Sequence, residues 1–222
     1  MDRMKAISAI LLLSLTLGAG SCARFRQGQA RLLARTRGDD LLSTGLVGWQ
    51  QIGGRQDAWR LTDGVLYTEG EGGGWLATLR QYDDFSLSLE FRVPPGGNSG
   101  VFIRSPLEGD PAYTGMEIQI LDDYAEQWRN LNPYQYTGSI YDVQAPSERA
   151  TKEAGTWQEM VVTARGPKIE VVLNGRKIID TNATYYPYKA DAHPGLTRER
   201  GYIGLQSHGS RVEFRNIRIR EL

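Results

Sequence analysis

In residues 115–123, Glu117 and Gln119 alternate with Met116, Ile118 and Ile120, so a carboxylate and an amide stand on one side of an apolar row. A period of two is that of a β-strand with one buried face. Side by side on one pleat, these two side chains form either a wet polar face, as antiparallel sheets commonly present, or the floor of a binding cleft. Asp122 and Asp123 follow; Asp122 has the wrong parity to share the Glu117 face unless the strand has already ended, which ranks it below Glu117. In residues 98–104, Val101 and Ile103 lie on one side while Gly100, Phe102 and Arg104 lie on the other, so Arg104 is expected beside an aromatic ring. His208, one of 2 histidines, shares parity with Gly204 and Gln206, opposite Ile203 and Leu205. The second, His193, sits beside Pro194 in a loop and reads as a surface residue without a role.

The elements that must hold these side chains are strands. Phe85, Leu87, Leu89, Phe91 and Val93 alternate with Ser86, Ser88, Glu90 and Arg92, and Pro94-Pro95-Gly96-Gly97 ends the run. Its polar face is expected in solvent. Asp63-Gly64 and Asn174-Gly175 each separate two strand-like runs, the signal of a tight hairpin whose central residues take positive φ. Residues 156–180 read as a meander turning at Gly166-Pro167 and Asn174-Gly175, and residues 212–220 as a last strand. Loops at 106–113 and 124–136 flank the Glu117 strand; loops of this length in a compact β domain often carry function. Many short strands and little helical periodicity give an all-β fold of two packed antiparallel sheets, a jelly-roll β-sandwich.

The 222 residues suit one main domain with a sizeable core. Acidic and basic residues balance at 26 each, which argues against a nucleic-acid partner and favours a neutral one. The chain starts with Asp2, Arg3 and Lys5, continues through an apolar run at 6–17, and reaches Ala19-Gly20-Ser21-Cys22. That order is a secretory signal too short to span a bilayer permanently. Ala-Gly-Ser-Cys resembles a bacterial lipobox, with Cys22 as the lipidated residue. Hence the expected division: a lipoprotein signal peptide at 1–21, an arginine-containing tether at 22–46 with a helical turn around 30–34, and the domain at 47–222. The protein is then exported, periplasmic or associated with the outer membrane, and held to the membrane through an N-terminal lipid. Cys22 is the single cysteine, so no intrachain disulfide supports the fold.

Several motifs in order, from Asn98-Ser99-Gly100-Val101-Phe102-Ile103-Arg104 and Met116-Glu117-Ile118-Gln119 through Thr137-Gly138-Ser139-Ile140-Tyr141 and Trp157-Gln158-Glu159, resemble the 3-keto-disaccharide hydrolase family. Leu173-Asn174-Gly175, Gly204-Leu205-Gln206-Ser207-His208-Gly209 and Phe214-Arg215-Asn216-Ile217 continue the match across 47–222. Ser207 departs from it, since an acidic residue is frequent at that place. The resemblance implies a concanavalin A-like jelly roll whose concave sheet forms a sugar groove, and a 3-keto glycoside as substrate. A ketone at C3 acidifies the C2 proton, so a base removes it, the glycosidic oxygen leaves from C1, and hydration completes net hydrolysis. That route needs a base, a group for the enolate oxygen and groups that orient the sugar. The implied catalytic set is Glu117, His208 and Arg104. Gln119, Gln206, Asp122, Tyr141, Trp128 and Asn98 are the implied substrate contacts, with Tyr134 and Tyr136 as further stacking candidates. No cofactor is required with certainty; a divalent metal, if one binds, would use Glu117 and His208. The competing readings are a non-catalytic carbohydrate-binding module on the same face and a structural envelope lipoprotein.

Overall fold

Strict alternation in residues 85–92 buries Phe85, Leu87, Leu89 and Phe91 between two sheets, each at most 1% exposed. Each such side chain contributes about 1.5–3 kcal/mol of transfer free energy. The computed structural model describes residues 38–222; the expected signal peptide, the turn at 30–34 and Cys22 lie outside the described residues. Its strands are β1 (Asp39–Asp40), β2 (Trp49–Ile52), β3 (Trp59–Thr62), β4 (Val65–Thr68), β5 (Trp75–Tyr82), β6 (Phe85–Arg92) and β7 (Asn98–Ser105). A helical turn α1 (Pro111–Thr114) precedes β8 (Met116–Leu121), and then come β9 (Gln158–Arg165), β10 (Lys168–Leu173), β11 (Arg176–Asn182), β12 (Gly201–Gln206) and β13 (Val212–Glu221).

One sheet has the order β11-β10-β9-β6-β13-β4-β3, with β1 added beside β13; the other has the order β2-β5-β12-β7-β8. Every pairing between these strands is antiparallel. The all-β, two-sheet antiparallel sandwich read from the sequence is therefore the fold. Both hairpin signals form tight turns, with φ of 50° and 76° at Asp63 and Gly64 and of 50° and 83° at Asn174 and Gly175.

Two expectations change. The last residues of the expected tether pack on the domain: β1 pairs with β13, and Leu41, Leu42 and Leu46 lie against the core. The polar face of β6 is not open to solvent, since Ser86, Ser88 and Glu90 are at most 9% exposed. β6 is central in its sheet, and the neighbouring β13 lays long side chains over it; Arg215 Nε donates to Glu90 Oε2 at 2.8 Å.

Candidate functional site

The outer face of the five-stranded sheet can be built row by row from its register, because cross-strand partners share a face. Ala77, Gly204, Phe102 and Glu117 are successive partners across β5, β12, β7 and β8. The chain at Tyr141 extends this row, its N–H donating to the Glu117 carbonyl at 2.9 Å. In the next row Trp75 is opposite Gln206 and Gly100 opposite Gln119, with Ser139 beside Gln119. Beyond them Asn98 Nδ2 lies 3.3 Å from His208 Nδ1. Glu117, Gln119, Gln206, Asn98 and His208 thus stand on one face, as the parity count requires.

Two glycines make that face usable. A β-carbon at Gly100 would overlap Glu117 Oε1, so the missing side chain is the space in which the carboxyl lies. A β-carbon at Gly204 would overlap the Trp75 ring. Such a strand-interior glycine is a readable sign of close approach. Trp75, Ala77, Phe102 and Ala112 of α1 form a small apolar cluster over one end of the face. Trp75 and Phe102 meet edge to face, with centroids 5.5 Å apart.

Beside this apolar cover Glu117 is 3% exposed, and burial pushes its carboxyl up to about 8, with the nearby Asp110 charge adding to the effect. Glu117 Oε1, Gln206 Oε1, Asn98 Oδ1 and Ser139 Oγ are buried with no hydrogen-bond partner among the described residues. Buried polar atoms are rarely left so, and four from one face mark a place where a polar ligand completes the bonding. Gln119 is different: its Oε1 accepts from the Ile120 N–H at 2.8 Å.

Arg104 is not in this site. Between Phe102 and Ser105, β7 has one residue more than β12 opposite it, and Arg104 adopts φ 51°. That bulge resets the alternation and sends the side chain to the other sheet, where Nη2 donates to the Gly166 carbonyl at 2.6 Å. Asp122 is also corrected: its oxygens accept from Gly96 N–H at 2.9 Å and Tyr124 N–H at 3.3 Å, which fixes a turn. Trp128 Nε1 donates to the Gly96 carbonyl at 3.3 Å, so this half-buried ring sits at the Asn98 end of the face. Tyr136 is buried, with Arg149 over its ring, and Tyr134 stacks with Lys189. His208 is exposed and its polar neighbour is Asn98, not Glu117, so these two do not converge as metal ligands. Among the described residues no group of three or more His, Cys, Asp or Glu side chains is placed to hold a metal ion.

His193, read as surface, is 1% exposed. Its Nε2 is 3.3 Å from Asp142 Oδ2, and its ring lies 5.5 Å from that of Tyr113. Tyr113 also meets Tyr141 edge to face at 6.2 Å, and Lys189 reaches Asp142 Oδ2 at 3.5 Å. Burial first, then Tyr141 and Asp110, raises the Tyr113 phenol above its usual value. These residues come from three separate segments, around 113, 141–142 and 189–193, so only Asp142, directly after Tyr141, carried a local signal.

An antiparallel sandwich with buried, unpaired polar groups beside aromatic rings on one sheet face is suited to a polar ligand with apolar faces, although the fold by itself does not decide function. The chain belongs to the family of 3-keto-alpha-glucoside-1,2-lyase-like domains, whose model matches residues 41–220. It is 25% identical to a 3-keto-disaccharide hydrolase of Bacteroides thetaiotaomicron over 222 aligned positions, 79% of this chain and 74% of that one. A Parabacteroides distasonis protein provisionally assigned as a glycosyl hydrolase superimposes with TM-score 0.75 at 30% identity, covering 84% of this chain and 100% of the other. A carbohydrate-binding module from Bacillus subtilis shares the fold, with TM-score 0.53 at 15% identity over 78% of this chain and 96% of that one. The family, the Bacteroides relative and the Parabacteroides structure indicate a glycosidase-like, carbohydrate-related function.

Proposed function

We propose that the protein cleaves 3-keto glycosides by elimination, with Glu117 as the base at C2. The single observation that carries this reading is the Glu117 carboxyl, pushed up to about 8 by burial and left with an unpaired oxygen in the space above Gly100. A base whose conjugate acid titrates near the working pH is strong when ionised yet still populated in that form. Glu117 takes the C2 proton, and the electron pair of that C–H bond becomes the enolate of the C3 ketone. The enolate then re-forms the ketone, a C1=C2 double bond appears, and the C1–O bond breaks. The departing oxygen takes a proton from solvent, while His208, beside Asn98 at the far end of the face, is placed for the more distant part of the substrate. Water adds to C1 and a proton returns to C2, which completes net hydrolysis. Gln206, Asn98 and Ser139 supply the unpaired acceptors for sugar hydroxyls, and Tyr141 and Trp128 supply flanking rings.

The test is incubation of the purified protein with a 3-keto disaccharide and with its unoxidised parent, products followed by mass, with and without chelator. Release of the second sugar from the keto form alone is expected. Equal cleavage of both, or full turnover in Glu117→Gln, would sink the reading. The unpaired hydroxyl acceptors alone also suit a binding module; saturable binding of plain saccharide with no product from any keto substrate would select that alternative. The N-terminal pattern further supports export and lipid attachment at Cys22. Incorporation of labelled fatty acid that persists in Cys22→Ala would overturn that attachment.

A further inference from the structure

A cavity of about 510 Å³ lies between the turn after β9 and the segment 183–199, away from the Glu117 face. Its walls include Pro167, Ala183, Tyr186, Pro187, Ala190 and Leu196, so they are mostly apolar. Its size falls in the usual range for small-molecule sites. Arg104 also lines it, is 2% exposed, and has its Nε–H buried without an acceptor among the described residues.

The charge of Arg104 is poorly compensated. Its Nη2 donates to the Gly166 carbonyl at 2.6 Å, but the paired carboxylate, Asp84, stands at 4.0 Å and is itself 39% exposed. Asp84 Oδ1 is already engaged by the Gly166 N–H at 2.7 Å. Desolvation by burial lowers the guanidinium below its usual value, while Asp84, Glu199 and Asp83 oppose that shift. A buried cation without a close partner is costly, and guanidinium N–H groups match a planar carboxylate. Arg198 adds a second cation to the lining, anchored by Nη1 on the Arg104 and Thr114 carbonyls at 2.8 and 2.6 Å. Glu199, also in the lining, weighs against a doubly charged anion.

We infer that this cavity is a binding site for a small monocarboxylate with an apolar body, its carboxylate on Arg104 Nε and its hydrocarbon part against Ala183, Pro187 and Leu196. The site stands apart from the Glu117 chemistry and does not depend on it. Calorimetric titration of the full chain at fixed ionic strength tests it, with hexanoate and benzoate as ligands, hexanamide and benzyl alcohol as neutral controls, and inorganic phosphate as the other anion. The carboxylates are expected to bind about tenfold or more tightly than the neutral controls, and more tightly than phosphate. Ala190→Trp, which fills the cavity from a half-buried position, should abolish binding without changing the circular dichroism or the turnover of the keto substrate. Arg104→Lys should weaken binding about tenfold, and Glu199→Gln should strengthen it several-fold. Equal affinity for acid and amide, tighter binding of phosphate, undiminished binding to Ala190→Trp, or no heat from either carboxylate with the folded wild type would each overturn the site.

Discussion

Glu90 on β6 and Glu117 on β8 occupy the same kind of position, the polar face of an alternating strand, and both are nearly buried, at 8% and 3% exposed. Glu90 meets Arg215 Nε at 2.8 Å and Asn216 Nδ2 at 3.0 Å. Glu117 meets a missing side chain at Gly100, the Phe102 row and the charge of Asp110, and one of its oxygens is unpaired. The first carboxylate is consumed by its neighbours in holding the eight-stranded sheet. The second keeps its proton near neutral pH and remains available to a ligand. Burial alone therefore says nothing about chemistry; the identity of the cross-strand partner does.

The sharpest way to break this contrast is Glu117→Gln, expected to lower turnover of a 3-keto disaccharide by about 10³-fold, whereas Glu90→Gln should leave turnover within about twofold. Comparable losses in both would erase the distinction.

The second measurement is stability against pH. Below about 4.5 Glu117 is protonated in both folded and unfolded chains and has no effect. Between about 4.5 and about 8 the folded protein holds the proton more tightly than the unfolded one, so stability falls as pH rises and levels off above about 8. At pH 7 the interval from 4.5 is 2.5 units, a cost on the order of 3 kcal/mol that Glu117→Gln removes. Denaturant titrations of both proteins at pH 4, 7 and 9 should show a difference that widens and then saturates; a constant difference contradicts the raised value. Turnover should rise with pH through the same region, because the carboxylate is the active form.

Gly100→Ala comes next. Its new methyl displaces the Glu117 carboxyl, the flexible end of a side chain, so activity should drop by roughly 10- to 100-fold with little change in the denaturation midpoint. Unchanged kcat/KM would show that the space above Gly100 is not the reacting position. Smallest is the structural loss in Glu90→Gln itself, about 1–2 kcal/mol by chemical denaturation, since Arg215 is part-exposed and solvent screens what it loses.

Much of the scaffold was legible because it is written in local patterns. The period of two in residues 85–92 and 116–121, and the Asp63-Gly64 and Asn174-Gly175 turns, depend only on near neighbours, and each forms as read. Parity also placed Glu117, Gln119, Gln206 and His208 on a common face, since each lies on or just past a regular strand. Parity failed at Arg104, because a single extra residue in β7 reverses it, and a bulge has no signature in Val101-Phe102-Ile103-Arg104. For Asp122 parity gave the right ranking below Glu117, and what it left out is that the carboxylate caps a turn built from Gly96 and Tyr124. His193 was misread because its loop folds back over Asp142 and Tyr113, segments far from it in the chain.

By itself, then, the sequence determined the strands, their turns, the two-sheet fold and the face on which Glu117 stands, all of which follow from alternation and backbone preference. Only the tertiary structure decided what surrounds that carboxyl: the room left by Gly100, the apolar cover of Phe102 and Ala112, the nearness of Asp110 and the departure of Arg104 to the opposite sheet. The reason is physical. A side chain's direction is set by its own strand, but its solvation and charge are set by neighbours that the chain brings from elsewhere.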